Sequence, residues 1–262
     1  MSSSLSGKKI LITREKHQAK VFSDKLKEVG AIPLVAPLLS FQPRYSSENQ
    51  KMMQRLQDFT WVFFTSANGV KFFFDQMIQF GYNTNVLNQL HIAVVGKKTE
   101  LMLHHYNFKA DFKPSHFHGS QMAKEFLHRY GNSGQILLVC GSKSRQEIPK
   151  ELTGHHVSFE RLIIYDTLVN EDSFTLLRSY LKQNTIDAYT FTSPSTIEAF
   201  LQLIELSPLI DEFVAKKRLC VCIGSTTQQK ALDEGFQHVL VPTEFTIEGM
   251  LDELIKHFTM KG

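Results

Sequence analysis

Short runs of β-branched and aromatic residues alternate along this chain with longer stretches in which apolar positions recur at helical spacing. "KKILIT" (Lys8 to Thr13) precedes a helical pattern over Lys16 to Val29, "WVFFT" (Trp61 to Thr65) one over Ala67 to Gln79, and "HIAVV" (His91 to Val95) one over Lys97 to Tyr106. The series continues with "ILLVC" (Ile136 to Cys140) before Arg145 to Leu152, "DAYTFT" (Asp187 to Thr192) before Pro194 to Ile204, and "RLCVCI" (Arg218 to Ile223) before Ser225 to Glu234. Alternation of this kind predicts βα units and parallel sheets covered by helices on both faces. "ILLVC" and "CVCI" are apolar throughout, as strands buried on both sides are.

The pattern is also doubled. Phe64-Thr65-Ser66 returns as Phe191-Thr192-Ser193, Gly96 and Thr99 return as Gly224 and Thr227, and "FHGSQM" from Phe117 returns as "FTIEGM" from Phe245. The offset stays near ~127 residues, a whole α/β domain and too long for a solenoid unit. Two segments break the βα rhythm: Ala31 to Pro43 and Val157 to Val169 are extended and apolar, and each runs into polar loop residues. They are predicted to be paired crossover strands. The expected architecture is therefore two similar doubly wound, flavodoxin-like parallel-sheet domains, joined by a two-stranded linker with a cleft between them. Residues 1–37 with 167–262 would form a discontinuous domain, and 38–166 an inserted one. Domain interfaces are favoured ligand sites.

Composition narrows the classes. The chain has 262 residues, 42% hydrophobic and 21% charged, which is ordinary globular composition. Its net charge of +3 comes from 29 basic and 26 acidic residues spread along the length, with no Lys/Arg block to track a phosphate backbone. No nucleic-acid partner is expected. "MSSSLSGKKI" lacks a signal-peptide core, and no uncharged apolar run approaches the roughly 20 residues that span a bilayer. A cytoplasmic protein with no membrane partner is expected. Cys140, Cys220 and Cys222 form neither a disulfide framework nor a zinc spacing and read as buried thiols.

In an open α/β sheet, ligands meet the carboxyl ends of the strands, where helix N-termini present free amides. Hydroxyl side chains collect at that edge: Thr13, Thr65 and Ser66, Thr99, Ser142 and Ser144, Thr192, Ser193 and Ser195, and Ser225, Thr226 and Thr227. Such edges hold carboxylates through amides and the favourable end of the helix dipole. The same residue types are also the ordinary N-caps of any helix, so the pattern alone leaves both roles open. Arg14 and Arg145, just past two matching strands, are candidates for bidentate carboxylate binding. No G-x-G-x-x-G or G-x-x-x-x-G-K-[ST] is present, so no nucleotide cofactor is expected. His116 to His118, His104-His105 and His155-His156 invite a metal reading, yet no Cys, Asp or Glu at ligand spacing completes a site. Without an evident base or metal, the site reads as one that works by positioning.

"LITRE", "FTSANGV", "VVGKKT", "CGSKSRQEIPKEL", "LIIYDT", "FTSPSTIEAF", "CIGSTTQQKALDEG" and "PTEFTIEGML", in this order, resemble the uroporphyrinogen-III synthase family from Lys8 to Phe258. The chain departs from the family pattern at Glu15 and Ser225, where Pro is frequent. The resemblance implies a cofactor-free, metal-free cyclising lyase of haem and tetrapyrrole synthesis acting on hydroxymethylbilane, a linear tetrapyrrole rich in carboxylates. Water would leave to give an azafulvene; ring D would attack through its bridged carbon, pass through a spiro intermediate and re-close inverted. By the same resemblance Tyr165 would assist loss of the hydroxyl. Thr99 and Thr227 would match the family's cleft threonines, with Ser66, Ser193, Ser195, Thr226, Arg14 and Arg145 as neighbouring binding groups. A monomer in transient contact with the preceding enzyme of the pathway is expected. The alternative is a non-catalytic two-lobed module that binds a small polyanionic ligand.

Overall fold

The computed structural model describes residues 5–115, 119–132, 134–183, 185–207 and 215–260. Along the chain come β1 (Lys9–Ile12), α1 (Lys16–Glu28), β2 (Ile32–Val35), β3 (Leu39–Pro43), α2 (Ser47–Gln54), β4 (Trp61–Phe64), α3 (Ala67–Gln79), β5 (His91–Val94) and α4 (Lys97–His105). There follow α5 (Gly119–Tyr130), β6 (Ile136–Gly141), α6 (Glu147–Gly154), β7 (Phe159–Val169), α7 (Asp172–Lys182) and β8 (Ala188–Phe191). The series closes with α8 (Pro194–Glu205), β9 (Leu219–Cys222), α9 (Ser225–Asp233), β10 (His238–Leu240) and α10 (Ile247–Met260).

The strands form two five-stranded sheets, β10-β9-β8-β1-β2 and β3-β7-β6-β4-β5. The α/β class and the two parallel-dominated sheets expected from the alternation are present. In the first sheet the order read from β2 is that of a doubly wound fold, with β1 parallel to both β2 and β8. Pro33 lies in β2, where the edge of the sheet tolerates its missing N–H. In the second sheet β4 occupies the equivalent inner position, parallel to β5 and β6. Its edge strand, β3, comes from chain that precedes the other four.

Strand periodicity builds a core on each face. In β4, Trp61 and Phe63 pack on one side with Phe126 and Ile148, while Val62 and Phe64 pack on the other with Phe73 and Met77. In the first sheet Leu11, Cys220 and Cys222 join Phe191 and Phe200, whereas Ile10, Ile12 and Val221 join Phe22 and Leu254. Each fully buried side chain of this size contributes about 1.5–3 kcal/mol relative to leaving it in water. Cys140, Cys220 and Cys222 are all free and buried, as expected.

The chain divides into two compact units, Met1–Ser40 with Leu168–Gly262, and Phe41–Thr167. Both crossings fall in β3 and β7, which are hydrogen-bonded neighbours. Asn170 N–H donates to Leu38 O and Arg44 N–H donates to Ile164 O. One strand advances as the other recedes, so this ladder is antiparallel. Two helices stand where polar loops were expected. α2 starts at Ser47 because Ser46 caps it, its Oγ accepting from Asn49 N–H at 3.0 Å; α7 follows two residues after β7.

Candidate active site

The strand β6 runs "ILLVC" into Gly141, and its parallel register with β7 changes there. Cys140 pairs with Ile163 but Gly141 pairs with Tyr165, so Ile164 is skipped. This bulge breaks the alternation of β7, and both Ile164 and Tyr165 are buried. The Tyr165 ring lies against the Gly141 backbone: a β-carbon on Gly141 would sit 2.7 Å from the phenolic oxygen and closer still to the ring. Gly141 is therefore needed for space. The ring also packs edge-on to Phe41 at 5.8 Å and tilted against Phe72 at 5.4 Å.

The phenolic oxygen is 3.1 Å from Ser66 Oγ. Ser66 is the N-cap of α3 and accepts from Gly69 N–H at 2.9 Å, which leaves its own hydrogen free to turn toward Tyr165. Burial pushes the Tyr165 phenol above its ordinary value; the Ser66 hydrogen bond opposes this and the nearby Cys140 adds to it. The group is a neutral donor at physiological pH.

Side chains that the sequence did not single out hold the tyrosine's own strand. Gln76, fully buried in α3, donates through Nε2 to Ile164 O at 3.0 Å and Arg44 O at 3.1 Å. Asn49 donates to Arg44 O at 2.7 Å and Ile163 O at 3.0 Å. Arg44 engages both Asp166 oxygens, through Nε at 3.0 Å and through its terminal nitrogen. The hydrogen bond from Arg44 holds the Asp166 carboxyl below its usual range. Ser142 N–H donates to Tyr165 O at 2.9 Å, and Thr167 N–H donates to Ser142 Oγ at 3.1 Å. The one visible signal for Gln76 was a polar residue amid the apolar stripe of Val70, Phe73, Phe74 and Met77.

The doubled sequence gives doubled helix starts. Ser193 caps α8 as Ser66 caps α3, here in a capping box with Thr196, and Ser193 Oγ lies 3.0 Å from Ser195 Oγ. The next helix in each unit, α4 and α9, begins instead after a glycine, Gly96 or Gly224, with no side-chain cap. Thr99 and Thr227 occupy matching places in their first turns and are both buried, whereas Thr226 is exposed. Other edge hydroxyls serve the fold. Thr13 Oγ1 donates to Thr190 O and Thr190 Oγ1 to Leu11 O, each at 2.7 Å; Thr65 Oγ1 donates to Val139 O at 3.2 Å, and Ser144 Oγ accepts from Gly141 N–H at 2.9 Å.

The two arginines part ways. Arg14 is 7% exposed, donates to Gln18 Oε1 at 2.6 Å, and has a buried Nε with no partner among the described residues. Burial lowers its pKa, against the opposing pull of Glu15 and Glu248. Arg145 is on the surface, its side chain 52% exposed and 3.6 Å from Glu147. His104 and His105 lie in the last turn of α4, and His155 is the C-cap of α6. His116 to His118 lie outside the described residues. Among the described residues no group of three His, Cys, Asp or Glu side chains is gathered for a metal.

A family model described as uroporphyrinogen-III synthase HemD matches residues 20–252. A porphyrin biosynthesis protein HemD from Ruminiclostridium josui is 29% identical over 260 residues, covering 98% of this chain and 50% of that protein; the chain spans half the length of this relative. A putative uroporphyrinogen-III synthase from Methanocaldococcus jannaschii is 27% identical, with 93% and 96% covered, and a uroporphyrinogen-III synthase from Chlorobaculum parvum is 26% identical, with 91% and 94% covered. Among solved structures, a mutant uroporphyrinogen III synthase from Thermus thermophilus superposes with a TM-score of 0.69 at 16% identity over 98% of this chain and 100% of that one. At that identity the likeness speaks to the fold alone.

Proposed function

The chain belongs to the uroporphyrinogen-III synthase family, and from that premise we propose that it cyclises hydroxymethylbilane to uroporphyrinogen III, with loss of water and inversion of ring D. The observation that carries this reading is the buried Tyr165 hydroxyl, 3.1 Å from the α3 cap Ser66. Tyr165 donates its proton to the departing hydroxyl, which leaves as water. Ser66 and the N-terminus of α3 then stabilise the phenolate until it takes up the proton that the free α-carbon of ring D releases on the final closure. The electrophilic azafulvene is attacked by the bridged carbon of ring D, and the spiro intermediate fragments and re-closes inverted. No electron is gained or lost, so the chemistry calls for no redox cofactor.

Product choice is the task, because the linear substrate closes unaided to the unflipped isomer I. Ser66, Thr99 and Arg145 in one unit, and Arg14, Ser193, Ser195, Thr226 and Thr227 in the other, are proposed as groups that bind substrate carboxylates. The proposed domains remain 1–37 with 167–262, and 38–166. Spontaneous closure also supports rapid hand-over, and we take the protein for a cytoplasmic monomer that meets the preceding enzyme of the pathway transiently. Among the described residues no helix is long and apolar enough to cross a membrane.

The test is incubation with freshly made hydroxymethylbilane followed by isomer analysis. Isomer III should dominate. Tyr165→Phe should keep the fold and slow isomer III formation roughly hundredfold, the usual range for a general acid. A protein that only binds the polyanion would leave isomer I in the majority.

A further inference from the structure

We propose that Gln76 is a positioning residue for Tyr165, retained for the geometry of the reaction and not for the stability of the fold. The inference rests on the acid role of Tyr165. Gln76 is 0% exposed, and its Oε1 is buried with no hydrogen-bond partner among the described residues. A buried acceptor left unpaired is costly, and an apolar side chain of the same shape avoids that cost.

What Gln76 donates to is already served. Ile164 O also accepts from Arg44 N–H at 2.9 Å, and Arg44 O from Asn49 Nδ2 at 2.7 Å. Neither carbonyl would be orphaned without it. Ile164, however, is the skipped residue of the β7 bulge, and the next residue is Tyr165. α3 thus grips this place twice, Ser66 at the phenolic oxygen and Gln76 at the carbonyl that precedes the tyrosine. Gly141 closes the third side, with no room for a methyl group. Removing the Gln76 amide lets the bulge settle differently and shifts the hydroxyl relative to Ser66. Misplacement by about 1 Å costs up to roughly a hundredfold in rate.

The experiment measures kcat, KM and the isomer ratio on hydroxymethylbilane for Gln76→Met, Tyr165→Phe and the double variant, with thermal unfolding of each. Gln76→Met is expected to unfold at the same temperature or higher. Its kcat should fall roughly ten- to hundredfold with KM unchanged, and it should add nothing to Tyr165→Phe. Wild-type kcat in Gln76→Met, or losses that multiply in the double variant, would overturn the proposal while leaving the acid role intact. Wild-type turnover by Tyr165→Phe would sink the acid role and this inference with it. A Gln76→Met variant that does not fold would overturn the proposal as well, since the amide would then serve stability. Gly141→Ala, whose methyl displaces the same ring, should also lower kcat, and wild-type kcat there would overturn it too.

Discussion

Tyr165 and Asp166 are neighbours in β7, yet their environments push their pKa values in opposite directions. Burial raises the phenol, so folding favours its neutral form. The stabilisation this gives is complete below the ordinary phenol value of about 10 and is lost as pH rises through the raised one. If Tyr165 is the acid, the alkaline limb of the kcat profile should lie above about pH 10 and disappear in Tyr165→Phe; a limb near neutrality would assign the acid to another group. Asp166 has the opposite sign. Its hydrogen bond from Arg44 depresses the carboxyl, so its contribution is present above the ordinary carboxylate value and fades as pH falls through the lowered one. Both side chains of that pair are partly exposed, so the contribution is small.

At the scale of elements, the helix caps separate roles that the sequence pattern could not. Ser66 and Ser193 cap α3 and α8 in the same way, and replacing either by Ala should cost about 1 kcal/mol of stability. Only Ser66 also touches Tyr165. Ser66→Ala should therefore lower kcat beyond what its stability loss explains, while Ser193→Ala, which removes a proposed carboxylate contact and no contact with Tyr165, should act mainly on KM. Denaturant unfolding beside isomer analysis separates the two, and equal kcat losses would speak against the division. α2 and α7 show where pattern reading fails. "SENQKMMQ" buries only Asn49 and Met53, too few apolar positions for a helical period to emerge.

At the scale of the whole molecule, each unit closes its own cores on both faces of its own sheet. One unit is contiguous and the other is assembled from two stretches of chain. A fragment from Leu38 to Val169, which keeps β3 and β7 whole, should fold by itself and unfold cooperatively, having the size of an ordinary domain. A fragment ending at Ser40 should not, because β1 and β2 would lack β8 and the strands beyond it. Circular dichroism during thermal melting checks both, and a molten Leu38 to Val169 fragment would show that the stretches depend on each other.

Sequence alone determined the alternation of strands and helices, the doubling, the buried thiols and the hydroxyl-rich helix starts. These are local properties, written in a period of two or of 3.6 residues and in capping chemistry. Tyr165 stood out only through resemblance to a family, since nothing in "LIIYDT" itself marks a catalytic group. Tertiary structure decided the rest. The bulge at Gly141 is a matter of register between strands, which no local pattern encodes. Ser66 meets Tyr165 across 99 residues of chain, and Gln76 meets Ile164 across 88. Contacts of that span exist only once the sheet has brought α3 and β7 together.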